Sequence, residues 1–199
     1  MIERLHASEP QPLPFAPSLH VRSFALERDD GNLLVYGAET APALDDVERR
    51  YLGHWHEAMF AADLDAPTFV HARDRAPSEQ RTAIAGTFSG PERLGDFELI
   101  PIPGHTPGAT AFLWDTGDHR LLFTGDSIYL DEDEWVAAFN VSGVDRSAYV
   151  ASLERLRELE FDVLVPWAAT AGHPFHADAA DAQRRIGAIL DRVQRGEDR

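Results

Sequence analysis

The 199-residue chain contains no cysteine, and all 18 of its basic residues are arginine. Without cysteine there can be no disulfide framework, no thiolate metal ligand and no cysteine nucleophile. The basic residues are outnumbered by 34 acidic residues, which gives this acidic protein a formal net charge of −16. Because phosphate contacts need clustered basic side chains, this charge argues against nucleic acid or an anionic membrane as a partner.

The chain also lacks any long apolar run. No stretch approaches membrane-spanning length, and the first residues have no apolar segment typical of a secretory signal, so we expect a cytoplasmic protein with no membrane partner. Hydrophobic residues make up 44% and charged residues 26%, which is typical of a folded domain. We expect an irregular N-terminal arm over residues 1–18, which carry four prolines, and a single domain over residues 19–199.

Alternation and apolar spacing predict strands in the first two thirds of the chain and mainly helices afterwards. The predicted strands cover residues 19–26, 33–36, 67–71, 97–102, 109–115, 120–123 and 161–166. The predicted helices cover residues 45–51, 57–64, 78–85, 147–159 and 178–194. This order predicts an α/β or α+β layered domain.

Three histidines and one aspartate lie where strands are predicted to end. His54 and His56 are two residues apart, a spacing that places both side chains on the same side of an extended segment. His105 lies in the Gly104–Gly108 turn, and Asp126 follows the apolar strand that ends at Phe123. Each alone has an ordinary interpretation, as a surface histidine or a helix cap, but together they are the donors of a metal site with imidazole and oxygen ligands.

The sequence from about residue 21 to residue 165 resembles the metallo-β-lactamase-fold hydrolases. The resemblance rests on His54-Trp55-His56, on Gly104-His105-Thr106-Pro107-Gly108 and on Thr124-Gly125-Asp126. It implies a four-layer αββα sandwich with a metal site at one edge. It also implies that His54, His56 and His105 bind a first metal and that Asp126 bridges to a second.

The sequence departs from the family at the positions that bind only the second metal. The family signature reads His-x-His-x-Asp-His. In this chain Ala58 takes the place of its aspartate and Met59 that of its last histidine, and Ala168 stands where a further, final histidine is expected. Alanine and methionine are poor ligands for a hard cation, so we predict one metal per chain, zinc with iron as an alternative. His173 or His176 could fold back as a replacement ligand, although an ordinary loop position is favoured.

The resulting hypothesis is a mononuclear hydrolase that uses a metal-bound hydroxide on an ester, thioester, lactone or phosphoester of a small molecule. Asp126 and Glu57 are its candidate catalytic residues, with Glu57 as a substitute general base unless it faces solvent. One alternative is an iron dioxygenase of persulfide type, with His56, His105 and Asp126 as its ligands. The other is a non-catalytic member that binds a metal or another ligand. The oligomeric state is left open.

Overall fold

A computed structural model describes residues 2–139 and 141–197 of the chain. Within these residues there are seventeen strands and three α-helices. The strands, in chain order, are β1 (Leu5–Ala7), β2 (Gln11–Leu13), β3 (Ala16–Val21), β4 (Phe24–Leu26), β5 (Asn32–Val35), β6 (Val47–Tyr51), β7 (Thr68–His71), β8 (Gly86–Phe88), β9 (Glu92–Leu94), β10 (Phe97–Pro101), β11 (Thr110–Asp115), β12 (Arg120–Phe123), β13 (Tyr129–Asp131), β14 (Glu134–Val136), β15 (Val163–Val165), β16 (Ala168–Thr170) and β17 (Ala177–Asp178). The helices are α1 (Arg75–Glu79), α2 (Arg146–Arg157) and α3 (Ala182–Arg195), and the chain also forms short 3-10 helices over Trp55–Met59 and Ala72–Asp74.

The strands form three sheets. The first has the order β1-β4-β5-β6-β7-β8, the second β17-β15-β12-β11-β10-β9, and the third β14-β13-β16-β3-β2. Aromatic rings join the first sheet to the second: Phe24 of β4 lies 6.2 Å from Phe123 of β12, and Tyr51 of β6 lies 6.0 Å from Phe112 of β11, measured between ring centroids. These edge-to-face and tilted pairs form the centre of the core, where two sheets stack face to face.

The two long helices follow directly from their sequences. Helix α2 begins after Asp145, whose side chain accepts a hydrogen bond from the Ala148 amide, and helix α3 ends at Gly196, which has a φ of 70°. Apolar residues three or four apart bury one face of each helix, and the two helices pack against each other. None of the helices in the described residues is long and apolar enough to cross a membrane.

The predicted fold class is confirmed, since the chain is a mixed α/β sandwich of stacked sheets with helices on the outside. The strands predicted over residues 33–36, 67–71, 97–102, 109–115, 120–123 and 161–166 and the helices predicted over residues 147–159 and 178–194 are confirmed, apart from their ends. The strand predicted over residues 19–26 is divided into β3 and β4, which belong to different sheets.

The prediction of an irregular arm over residues 1–18 is wrong in its local structure, because β1, β2 and the start of β3 lie there. Both β1 and β2 are edge strands of their sheets. Proline is tolerated at such an edge because its missing N–H removes no bond from the sheet interior, so Pro12 can lie within β2. Whether the chain divides into an arm and a single domain stays a prediction.

Three helix predictions fail for a common reason, which is that tertiary contacts override short local patterns. The segment predicted as a helix over residues 45–51 forms β6, which pairs in parallel with β5 and β7. The segment over residues 57–64 forms only the end of the 3-10 helix Trp55–Met59, and α1 lies before most of the predicted helix at residues 78–85.

Candidate metal centre

One group of side chains in the described part of the chain could hold a metal ion, and it consists of His54, His56, His105 and Asp126. One donor atom from each of these residues lies within 4.8 Å of the others. The first two histidines follow β6, His105 lies in the turn between β10 and β11, and Asp126 follows β12. The fold therefore brings together four residues that the sequence places on three separate turns.

The distances between the donor atoms fit a single small cation. His56 Nδ1 lies 3.0 Å from His105 Nε2, and Asp126 Oδ2 lies 3.3 Å from His54 Nε2 and 3.6 Å from His105 Nε2. Ligand atoms held tetrahedrally at 2.0–2.1 Å from zinc would be about 3.3 Å apart. The Nε2 atom of His54 is also buried without a hydrogen-bond partner among the described residues, which is the environment of a ligand atom.

The outward-facing ring nitrogens of two histidines are fixed by hydrogen bonds. His105 Nδ1 lies 2.8 Å from the carbonyl oxygen of Ala138, and His54 Nδ1 lies 2.8 Å from Glu57 Oε1. Because a carbonyl oxygen can only accept, we assign a proton to Nδ1 of His105, and the same argument applies to His54 beside its carboxylate. In the neutral imidazoles each Nε2 then presents a lone pair to the group, as in a metal-binding histidine with an outer hydrogen-bond partner.

Glu57 is fully buried, so the expectation that it could face solvent is wrong. Its Oε2 accepts a hydrogen bond of 3.0 Å from the Gly53 amide, and its Oε1 bonds Nδ1 of His54. The carboxylate thus lies behind His54, on the opposite edge of the imidazole from Asp126. Both of its oxygens are used to hold the segment that carries the first histidine.

Asp74 also supports the site, and sequence reasoning missed it. Its carboxylate accepts hydrogen bonds from Thr106 Oγ1 at 2.5 Å, from the Gly108 amide at 2.8 Å and from the Trp55 amide at 3.2 Å. One buried side chain therefore ties the His54–His56 segment to the turn that carries His105. The only local signal is a position just before α1, which is typical of a helix cap rather than of a functional residue.

The turn that carries Asp126 is held by glycine and by two buried tyrosines. Gly125 has a φ of 57°, and a Cβ there would lie 3.3 Å from Nδ1 of His54, so the turn requires both the left-handed conformation and the missing side chain. The Tyr36 hydroxyl accepts from the Gly125 amide at 2.9 Å, and the Tyr149 hydroxyl donates to the Ser127 carbonyl at 2.5 Å.

The four donor residues differ in their pKa values. Burial lowers the pKa of His54, but Glu57 and Asp126 outweigh this effect and raise it to about 10. Burial, together with the neighbouring histidines, lowers the pKa of His56 to about 3, and burial with His54 lowers that of His105 to about 4. For Asp126 the contact with His54 outweighs the opposing effect of burial, so its pKa is lowered. One proton, on His54, therefore has to leave before all the donors can bind a cation.

The positions where the family resemblance expects further ligands carry no side-chain nitrogen or oxygen donors for a second cation. Ala58 is buried in a small apolar cluster with Leu52 and Val70, and the Met59 side chain is partly exposed. Ala168 is buried in β16. Within the described ranges, His173 and His176 are not members of the metal-holding group.

The chain belongs to the metallo-beta-lactamase superfamily, whose family model matches residues 38–168. Members of this superfamily bind metal, and their hydrolases act on small molecules; all four residues of the group lie within the matched range. Over 63 residues the chain is 32% identical to a hydroxyacylglutathione hydrolase from Halorhodospira halophila, a match that covers 32% of this chain and 23% of that protein. The family and the fold expected from the sequence motifs are thereby confirmed.

Solved structures show the same fold at low sequence identity. The metallo-beta-lactamase FIM-1 from Pseudomonas aeruginosa in its mono-zinc form is 12% identical, with a TM-score of 0.71 over 97% of this chain and 93% of that one. A metallo-beta-lactamase from Hirschia baltica is 12% identical, with a TM-score of 0.71 over 96% and 95%. The superfamily protein ST1585 from Sulfolobus tokodaii is 16% identical, with a TM-score of 0.63 over 94% and 85%. At these identities the similarity establishes the fold alone.

Proposed function

We propose that the protein is a mononuclear metal-dependent hydrolase of a small molecule with an ester, thioester, lactone or phosphoester bond. The observation that carries the proposal is the arrangement of His54, His56, His105 and Asp126, whose donor atoms converge within 4.8 Å. Zinc held by three imidazoles lowers the pKa of bound water to about 7 and so supplies a nucleophile at neutral pH. Family membership supports a hydrolase, and so does the short match to a hydroxyacylglutathione hydrolase.

The lack of donors at the second-metal positions supports the proposal of one metal per chain. Ala58 packs in an apolar cluster and offers no donor atom to a cation. A second divalent ion would have to bind with Asp126 as its only family-type ligand, which is too few donors for a stable site.

We assign different roles to the two candidate catalytic carboxylates. Asp126 is the carboxylate that faces the donor atoms, at 3.3 Å from His54 Nε2, so it is the group available to orient a water molecule or to complete the ligand set. Glu57 has both oxygens engaged with His54 and with the Gly53 amide. We therefore propose Glu57 as a positioning residue and not as the general base.

Metal content and hydrolysis, measured on the same preparations, test this function. Protein purified without added metal is analysed by mass spectrometry beside two variants, His105→Ala and the matched control His119→Ala, which replaces an exposed histidine outside the group. We expect about one zinc per chain, lost in the first variant and kept in the second, with hydrolysis of ester and thioester substrates lost in parallel.

Each other outcome would contradict the proposed function in a different way. Two metals per chain would contradict the single-metal site. One iron per chain with oxygen uptake would replace hydrolysis with the dioxygenase hypothesis, in which His56, His105 and Asp126 are the ligands. A folded protein that binds no metal after incubation with zinc would be a non-catalytic member of the fold.

A further inference from the structure

An apolar cavity of about 240 Å³ opens beside the candidate metal centre. Asp126 is the one member of the four-residue group in its lining, and the remaining wall comes mainly from apolar side chains on the β2–β3 hairpin, the segment after β14, and α3. Leu13, Leu19, Phe139, Ile189 and Val193 are representative lining residues. We call this space the Asp126 cavity. Sequence analysis alone gives no pattern for it, because its walls come from four distant parts of the chain.

The mouth of the Asp126 cavity is apolar as well. Three large hydrophobic side chains in the described residues are exposed: Phe15 at 73%, Val141 at 43% and Met59 at 38%. The first two of these line the cavity. Exposed apolar groups gathered at one concave site are typical of a surface that binds an apolar ligand.

The space exists partly because of Ala168. This alanine stands where the family resemblance expects a metal-binding histidine, and it lines the Asp126 cavity. A histidine side chain would project from the same backbone position next to Asp126 and would reduce the apolar volume there. The change that removes a donor for a second metal therefore also leaves room for a ligand group beside the first.

Two charged residues besides Asp126 contribute to the lining, and neither makes the cavity strongly polar. Arg192 donates from Nη2 to the Trp135 carbonyl at 2.9 Å, and Glu197 is paired with Arg195 at 2.7 Å. Both lie at the end of α3 or just beyond it, so apart from Asp126 the charged groups of the lining lie on one wall.

We propose that the Asp126 cavity binds the acyl chain of the substrate, an unbranched apolar group of about six to eight carbons. This inference rests on the proposed function, because it places the scissile ester or thioester at the Asp126 end of the cavity. The chain length follows from the volume of about 240 Å³, which holds about eight groups the size of a water molecule at about 30 Å³ each. Of the four bond types open to the hydrolase, the cavity favours acyl esters and thioesters.

Binding of neutral 1-alkanols tests the cavity without requiring catalysis. The full chain is titrated with 1-butanol, 1-hexanol, 1-octanol and 1-dodecanol by calorimetry, once with zinc and once with a chelator. Neutral probes are used so that the charge of Asp126 does not oppose binding. We expect the affinity to rise about fourfold per added methylene up to about eight carbons and then to level off.

Three variants test whether the alkanols bind in the Asp126 cavity. Ala137→Phe adds bulk inside the lining and should shorten the longest alkanol that binds well, and Phe15→Ser should weaken octanol binding several-fold. Met59→Ser is the matched control, because Met59 is an exposed hydrophobic side chain outside the cavity lining, and it should leave octanol binding unchanged. An affinity that keeps rising to dodecanol, or an equal response of Met59→Ser and Phe15→Ser, would overturn the assignment.

A parallel activity series separates this inference from the proposed function. With zinc present, kcat/KM is measured on p-nitrophenyl esters of two to twelve acyl carbons, and we expect a maximum at six to eight. Length-selective alkanol binding without hydrolysis of any ester or thioester would retain the cavity assignment and refute the hydrolase. Hydrolysis with no dependence on acyl length would retain the hydrolase and refute the cavity assignment.

Discussion

The candidate site has two halves: the ligand positions of the first metal and the positions where the family resemblance expects ligands for a second. The two halves differ in the contacts that surround each residue. His54 and His105 are each held by a second residue through the outer ring nitrogen, and Asp74 joins the segments that carry them. Ala58 and Ala168, at the positions of the missing ligands, instead pack among apolar residues. The positions without donors therefore lie in an apolar environment, whereas two of the three histidines of the first set have hydrogen-bonded support behind them.

The largest fall in zinc affinity is expected when the hydrogen bond behind His54 is weakened. Glu57→Gln keeps the size of the side chain but removes the charge that holds the Nδ1 proton of His54, so zinc affinity should fall about 10- to 100-fold. The pKa of His54, followed by NMR with a chelator present, should also fall from about 10, because the carboxylate raises it.

A competition titration with a chromophoric chelator measures the affinity. Glu79→Gln is the matched control, since Glu79 is exposed and pairs with Arg75 on the surface. A loss of hydrolysis in Glu57→Gln at unchanged zinc affinity would instead favour Glu57 as the general base.

A smaller effect is expected from a change of one pH unit. His54, with a pKa of about 10, is protonated at neutral pH, while His56 and His105, at about 3 and about 4, are neutral. Zinc binding therefore releases one proton between about pH 5 and pH 8, and the apparent zinc affinity should rise about tenfold per pH unit in that range. Proton release in calorimetric titrations in buffers of different ionisation enthalpy counts the protons directly. A release near three would mean that His56 and His105 are also protonated before zinc binds.

The smallest effect on metal binding is expected from restoring one lost donor. Ala168→His should leave the stoichiometry at one zinc per chain, because Ala58 still faces an apolar cluster and the second half needs several ligands. The same variant should weaken octanol binding by filling the Asp126 cavity. Ala168→Leu adds similar bulk without a donor atom and should behave alike in both measurements. Two zinc ions per chain in the histidine variant alone would show that the second half has kept its geometry.

The four candidate donors could be named from the sequence because each lies in a short local pattern. A two-residue spacing, a glycine-bounded turn and a strand end identify His54, His56, His105 and Asp126, and the fold brings all four together. The residues that hold the donors in place are harder to predict because their contacts are distant in sequence. Asp74 bonds residues 19 to 34 positions away, and nothing beside it in the chain indicates these partners.

The same distinction applies to the fold. Buried strands such as β10, β11 and β12 consist mainly of apolar residues and are predicted almost to their ends. Strand β6 contains Glu48, Arg49 and Arg50 within five residues, so its own sequence does not indicate a strand. It is extended because β5 and β7 flank it on both sides, which is information that no local pattern contains.

The three hydrogen bonds of Asp74 also determine when the site is assembled. They connect protein groups only, so the two histidine-bearing segments are aligned by folding before any ion arrives. In a zinc finger the ion supplies much of the free energy that orders the chain. An ion that binds here would meet donor atoms that the fold has already brought together, so less of its binding energy would be needed to order the chain.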